Sequence, residues 1–322
     1  MEGIYKLKNT FERLYKNWGS YLEALGKFLI AFLLFHQING RMGALAVLDN
    51  IFAELILALF CSFLPMNTAV VISSILILGH LYALSIPALV VGGSVLLIVL
   101  LLYFSFAKSE AYAFLLTMLA LMLHIPCSIP LIFGLLGTPL SGAGIAGGTV
   151  IYYTISVLKE MGGSGAALAL AGSAGEEAII DTIRALMDTV LAEQEMILML
   201  IVLLAVFAVV YFSRKLAMKY AWTVAIGAGT LIYLVITLAG CLMLEMRMGI
   251  LEILVGTLIS LLIAAVLELL FFHLDYKKTE SLQFEDDEYY YYVKAVPKKN
   301  SGKKQKMLNK KGSEADNDIF YS

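Results

Sequence analysis

The sequence predicts an all-α, polytopic membrane helix bundle with about eight crossings, one re-entrant or broken segment and a mostly disordered cytoplasmic tail. Three observations predict it. Hydrophobic residues make up 60% of the chain and charged residues 15%, with a mean hydropathy of +0.85, whereas a soluble domain carries about 25% charged residues. Apolar runs close to the roughly 20 residues that span a bilayer recur from Tyr21 to His273. Charged residues gather in short stretches between those runs and in the tail beyond Asp275.

Residues 1–20 form a basic N-terminal segment. Lys6, Lys8, Arg13 and Lys16 are interleaved with Tyr5, Phe11, Tyr15 and Trp18, which suits an amphipathic helix lying in the membrane interface. A plain basic tail obeying topology rules fits equally. No cleavable signal peptide is expected, because no short basic start is followed by a cleavable apolar core. The transmembrane bundle occupies 21–275. Its first span, Tyr21–Gln37, carries Glu23 and Lys27 at i,i+4 in the favourable order, acid before base. Further spans fall at Leu48–Leu64, stopped by Pro65, at Thr68–Ile86, stopped by Pro87, and at Ala88–Ala107.

The stretch 111–140 breaks this pattern. It is apolar throughout, yet Pro126, Pro130 and Pro139 divide it into pieces too short to cross a bilayer. Broken helix at membrane depth persists only where protein shelters it or where it lines a polar cavity. Pro126 has no N–H to donate, so a carbonyl one turn earlier, near Met122, is left free. Such carbonyls and half-helix ends serve as ligands in transporter sites.

A Gly-rich span, Ser141–Leu158, follows. Its Gly142, Gly144 and Gly147 match a dinucleotide fingerprint in form only, since that motif needs a strand turning into a helix. Gly144 and Gly148 instead have the GxxxG spacing of close helix packing. Residues 159–195 then leave the membrane as an external loop: a Gly/Ala/Ser linker, and a helix with Ile179, Ile183, Leu186, Met187, Val190 and Leu191 on one stripe. Asp181, Arg184 and Asp188 are spaced for ion pairs on its other face. Met196–Phe212, Tyr220–Met243 and Ile250–His273 complete the spans.

The positive-inside rule fixes the orientation. Basic clusters at 6–16, Lys108, Arg214/Lys215/Lys219 and after Lys277 share one side only if 111–140 enters and leaves on that side. Both termini are then cytoplasmic. Two short tilted spans satisfy the same charges.

The tail, 276–322, joins an acidic stretch (Glu285, Asp286, Asp287, Glu288) to a strand-like aromatic run, Tyr289–Val296, and ends lysine-rich. Glu285, Asp286, Asp287, Tyr289 and Tyr291 are candidates for docking a cytoplasmic protein by strand addition; folding back on the membrane interface is the other reading. Two stretches, LQFEDDEYYYYVKAVPK after the last span and LLTMLALMLHIPCSIPLIFGLLGTP in the centre, resemble a group of uncharacterised multi-pass membrane proteins of Gram-positive anaerobes. The resemblance implies the same architecture and a place in the bacterial cytoplasmic membrane, and no activity.

Candidate site residues are the ionisable groups inside apolar runs. Glu54 lies near the middle of IFAELILALF with no basic residue in its own helix; His80 and His124 are the other buried titratable groups. A carboxylate at that depth is costly unless paired, neutralised or wetted, and a neutral imidazole relays protons or satisfies a neighbouring helix. With Pro126 and Pro130 they form the candidate substrate or ion site. Cys61, Cys127 and Cys241 are isolated in apolar runs and read as small buried hydrophobes. HExxH, GxSxG, P-loop and CxxC motifs are missing, so no enzyme, metal site or cofactor is expected. The leading expectation is a permease-like protein moving or holding a small or lipidic substrate at the broken segment. A membrane scaffold recruiting a partner through its tail is the alternative, and an intramembrane enzyme the third. Expected partners are the lipid bilayer, a cytoplasmic protein and a second copy of the chain; nothing calls for nucleic acid.

Overall fold

The computed structural model describes residues 2–44, 50–163, 176–216, 220–244, 249–271, 280–285 and 290–295. Helix α1 (Glu2–Met42) changes direction at Trp18, whose φ −126° and ψ 17° leave the helical region. An N-terminal piece thus precedes the span Trp18–Met42. Helix α2 (Ile51–Phe63) starts where the Asn50 side chain accepts the Phe52 N–H, an N-cap that satisfies one of the orphan donors of the first turn. Helices α3 (Met66–Leu84) and α4 (Ile86–Phe106) share Ser85 as C-cap and N-cap. The α4 start precedes the expected one because Pro87 sits in the first turn, where no backbone donor is needed.

A 3-10 turn at Lys108–Glu110 leads into α5 (Ala111–Met122), a break, and α6 (Ser128–Leu136). Helix α7 (Ser141–Gly163) runs five residues past the expected end, through Lys159 and Glu160. Helices α8 (Glu176–Leu191), α9 (Gln194–Ser213), α10 (Ala221–Leu244) and α11 (Ile250–Phe271) complete the bundle. Among the described residues seven stretches are long and apolar enough to cross a membrane. Helix α2, with 13 residues, is only about 20 Å long. Leu97, Ile98, Leu101 and Leu102 of α4 and Leu251, Leu254, Leu258 and Leu262 of α11 are exposed, an apolar outer surface that suits lipid and not water. The chain is an integral membrane protein of all-α, multi-pass architecture.

The direction of each helix around the break follows from its neighbours. Gly144 of α7 faces Glu110 and Phe114, and Gly148 faces Phe114 and Thr117, so α5 and α7 run parallel. Gly134 of α6 faces Val210, and Arg214 reaches Leu135 and Gly137, so α6 runs parallel to α9. Helix α9 opposes α7, with Gly142 against Phe207 and Tyr153 against Glu195. Helices α5 and α6 therefore form an antiparallel hairpin. Its base closes at Glu110, whose carboxylate accepts from Thr138 Oγ1 at 2.8 Å and from Ser141 Oγ at 2.6 Å. A single crossing would hold these ends a membrane thickness apart.

Protein shelters this hairpin. Ten α5 residues, Thr117 among them, are buried, as are Ser128, Ile129, Pro130, Leu131, Gly134 and Leu135 of α6. The core has two parts. One gathers α1–α5, α7 and α8 around Leu34, Phe35, Leu81 and Leu115; the other gathers α6 and α9–α11 with Tyr153 around Leu131, Val206 and Tyr233. The hairpin is the wedge between them, α6 packed in the second and α5 in the first except for Ala120 and Leu121, which join the second. Helix α8 lies on the bundle against α4 and α7, burying Leu186 and Val190 while Met187 and Leu191 stay exposed. Its Asp181 and Arg184 are 3.8 Å apart.

In the tail, strands β1 (Glu280–Glu285) and β2 (Tyr290–Ala295) pair antiparallel, Phe284 opposite Tyr291. The expected strand thus has a partner within its own chain, while Asp286, Asp287, Tyr289 and everything from residue 296 onward lie outside the described residues.

Candidate functional site

Helix α5 ends in a Schellman motif. The Ile125 N–H reaches back to the Ala120 carbonyl and the His124 N–H to that of Leu121, at 2.9 and 3.3 Å. The motif needs a left-handed residue, and His124 supplies it with φ 59°, a conformation that costs an L-residue roughly 1–2 kcal/mol. Pro126 then prevents continuation. Of the last carbonyls, the one Pro126 cannot engage is that of Met122, and Arg41 from the last turn of α1 donates to it. The same guanidinium donates to Tyr152 Oη at 3.2 Å, lies 5.6 Å from the Tyr152 ring centroid, and approaches His124 Nε2 at 3.3 Å. An arginine only donates, so Nε2 carries the lone pair and Nδ1 the proton. That Nδ1 faces Glu252 Oε2 at 3.8 Å.

The other half-helix also ends under an arginine. Arg214, the C-cap of α9, donates to the carbonyls of Leu135 and, at 2.8 Å, Gly137. Each half-helix thus has its negative dipole end neutralised by an arginine at the C-terminus of a full-length helix. Gly256 of α11 admits the tip: a Cβ there would lie 2.1 Å from the His124 carbonyl oxygen. Gly144 and Gly148 bring α7 against α5, where a Cβ would meet Ala113 Cβ at 2.9 Å and the Phe114 carbonyl at 2.5 Å.

Beside the tip opens a cavity of about 300 Å3 lined by Arg41, Met122, His124, Tyr152, Tyr153, Ser156, Lys159, Glu160 and Glu195, with Ile155. Adjacent tyrosines hold opposite charges in it. Tyr152 accepts from Arg41, while Tyr153 donates to Glu195 Oε1 at 3.4 Å, their rings edge to face with centroids 5.0 Å apart. A larger recess of about 580 Å3 lies between α8 and α9, lined by Asp188, Thr189, Gln194 and Glu195 among others.

The sequence-predicted residues separate into two places. His124 is at the cavity, with Pro126 just behind it and Pro130 buried in the first turn of α6. Glu54 and His80 belong to a different network on the neighbouring face of α1. There Asn39 Nδ2 donates to Glu54 Oε1 at 2.8 Å, His36 Nδ1 to Glu54 Oε2 at 3.0 Å, and His80 Nε2 to Asn39 Oδ1 at 2.8 Å. Glu54 sits in the first turn of α2 and not at mid-span, because Asn50 starts that helix at Ile51. Although 3% exposed, its carboxylate is satisfied by these two donors. Arg41, Tyr152, Tyr153 and Glu195 were not singled out by sequence reasoning. Glu195 falls at the end of the expected external loop 159–195, and no sequence spacing ties it or Arg41 to the tyrosines. The free Met122 carbonyl was the one pointer toward a donor such as Arg41.

Among the described residues no group of three or more His, Cys, Asp or Glu is placed to hold a metal ion, and Cys61, Cys127 and Cys241 form no disulfide. No protein-family model, curated protein sequence or solved structure matches the chain.

Proposed function

We propose that this integral membrane protein is a permease-like carrier that holds and moves a small polar substrate at the tip of its broken hairpin. The observation that carries this reading is a discontinuous, largely buried helix pair whose break opens on a cavity with charged walls. Discontinuous helices with half-helix ends at a polar pocket are the recurring construction of secondary-transporter sites, and ionisable side chains are retained at such depth where they serve substrate or ion. Of the small and lipidic substrates the sequence admits, the charged lining favours the small polar one. With Lys108 and Arg214 beside the hairpin base, the positive-inside rule assigns that base to the cytoplasm and the cavity to the outside of a bacterial plasma membrane.

The test is transport by the full chain in proteoliposomes supplied with a mixture of small polar metabolites, the lumen analysed by mass spectrometry. At least one solute is expected to equilibrate faster than in protein-free vesicles, and Arg41→Ala to abolish that gain. Equal rates with and without protein would end the proposal.

A further inference from the structure

The charges at the cavity form two poles with fixed supports. Arg41 is held by the Met122 carbonyl, the Tyr152 hydroxyl and the Tyr152 ring, and Lys159 lines the same space. The acidic pole is Glu195, buried in the first turn of α9 and bound by Tyr153, with Glu160 also on the wall. The two supporting tyrosines are consecutive in α7, so they project to different sides of that helix and keep the poles separate.

A ligand with one sign of charge would be drawn to one pole and repelled by the other. A ligand carrying both signs satisfies both, and the space of about 300 Å3 is at the small end of the roughly 300–1,000 Å3 typical of ligand pockets. Met122, Tyr152 and His124 engage three of the five guanidinium N–H groups and leave two for a ligand carboxylate, and the position of Arg41 is set in advance by its protein acceptors, so little ordering remains for the ligand to impose. A buried carboxylate flanked by a tyrosine suits a protonated amine, whose three donors have no counterpart at the arginine end.

We propose, building on the carrier reading above, that the substrate is a small zwitterion of amino-acid type, its carboxylate on Arg41 and Lys159 and its ammonium group on Glu195 and Glu160. The two positions on the ligand are fixed by separate helices, α1 and α9, from the two halves of the bundle. Occupancy therefore bridges those halves across the hairpin tip.

The experiment uses the purified full chain and calorimetric titration with the common free amino acids. Each binder is compared with its one-charge relatives, as alanine is with propionate and ethylamine. At least one amino acid is expected to bind saturably, its deaminated and decarboxylated analogues at least tenfold more weakly. Glu195→Gln is expected to weaken the amino acid at least tenfold while leaving the acid analogue within twofold; Lys159→Ala is expected to do the converse, sparing the amine. Equal binding of the one-charge analogues, or no binding by any amino acid to a folded protein, would overturn the zwitterion assignment. In that case continued flux of another solute in the proteoliposome assay would leave the carrier reading standing, and loss of both would remove both.

Discussion

The guanidinium of Arg41 and the backbone carbonyl of Met122 meet where α5 stops. One is the last basic residue of a full-length helix and the other the carbonyl stranded by Pro126. Their contact joins a side chain near the end of the first span to a break more than eighty residues further along the chain. It replaces the missing helical bond and neutralises the end of the α5 dipole in one step.

Removing the donor leaves a buried acceptor bare. Arg41→Ala is expected to cost about 1–3 kcal/mol, read as a lower unfolding temperature in detergent. Arg41→Lys, which restores a single donor without the fork, is expected to recover part of that loss. An unchanged midpoint in both variants would mean that water reaches Met122 without help.

The hairpin base gives a second, independent measurement. Glu110 accepts two hydroxyl hydrogen bonds, each worth about 1.5–3 kcal/mol when the acceptor is charged. Glu110→Ala removes both and is expected to destabilise by about 3–6 kcal/mol. Glu110→Gln is expected to cost less than half as much, since its amide oxygen still accepts one hydroxyl and its NH2 can donate to the other. Thermal unfolding of the two variants side by side decides it.

Glycines separate close packing from empty space. Gly256→Ala drives a methyl into the His124 carbonyl and is expected to destabilise the fold and displace the tip. Gly26→Ala, in α1 with no atom within 4 Å of the added carbon, is expected to stabilise by up to about 1 kcal/mol through helix propensity. Opposite signs in the two unfolding midpoints are the predicted outcome.

His124 has two separable roles, a ring at the cavity and a left-handed backbone. His124→Ala and His124→Gly both remove the ring, but only glycine accepts φ 59° without strain. The glycine variant is therefore expected to be more stable than the alanine variant by about 1–2 kcal/mol, with solute flux reduced in both alike.

The break, its shelter and the GxxxG contact were legible in the sequence because they rest on local chemistry. A proline removes a donor wherever it stands, and small residues four apart face one way on any helix. The Glu54 environment was legible only in part. Its burial followed from the apolar run, but Asn50 as a cap moves it from mid-span to a helix start, and its donors His36 and Asn39 come from α1. The cavity was not legible. Arg41, Tyr152 and Glu195 are each ordinary at their own positions, and only the folding of α1, α7 and α9 around the hairpin tip gives them a common space.

The most direct measurement of the central claim, that 111–140 enters and leaves on one side, is labelling by a membrane-impermeant thiol reagent. Ser109→Cys and Leu140→Cys are introduced singly into a full chain lacking Cys61, Cys127 and Cys241, with Lys215→Cys as a marker for the base and Ser156→Cys for the cavity. Modification of positions 109 and 140 from the same face as 215, and of 156 from the opposite face, is the predicted result. Modification of 109 and 140 from opposite faces would make the segment a single crossing and contradict the account.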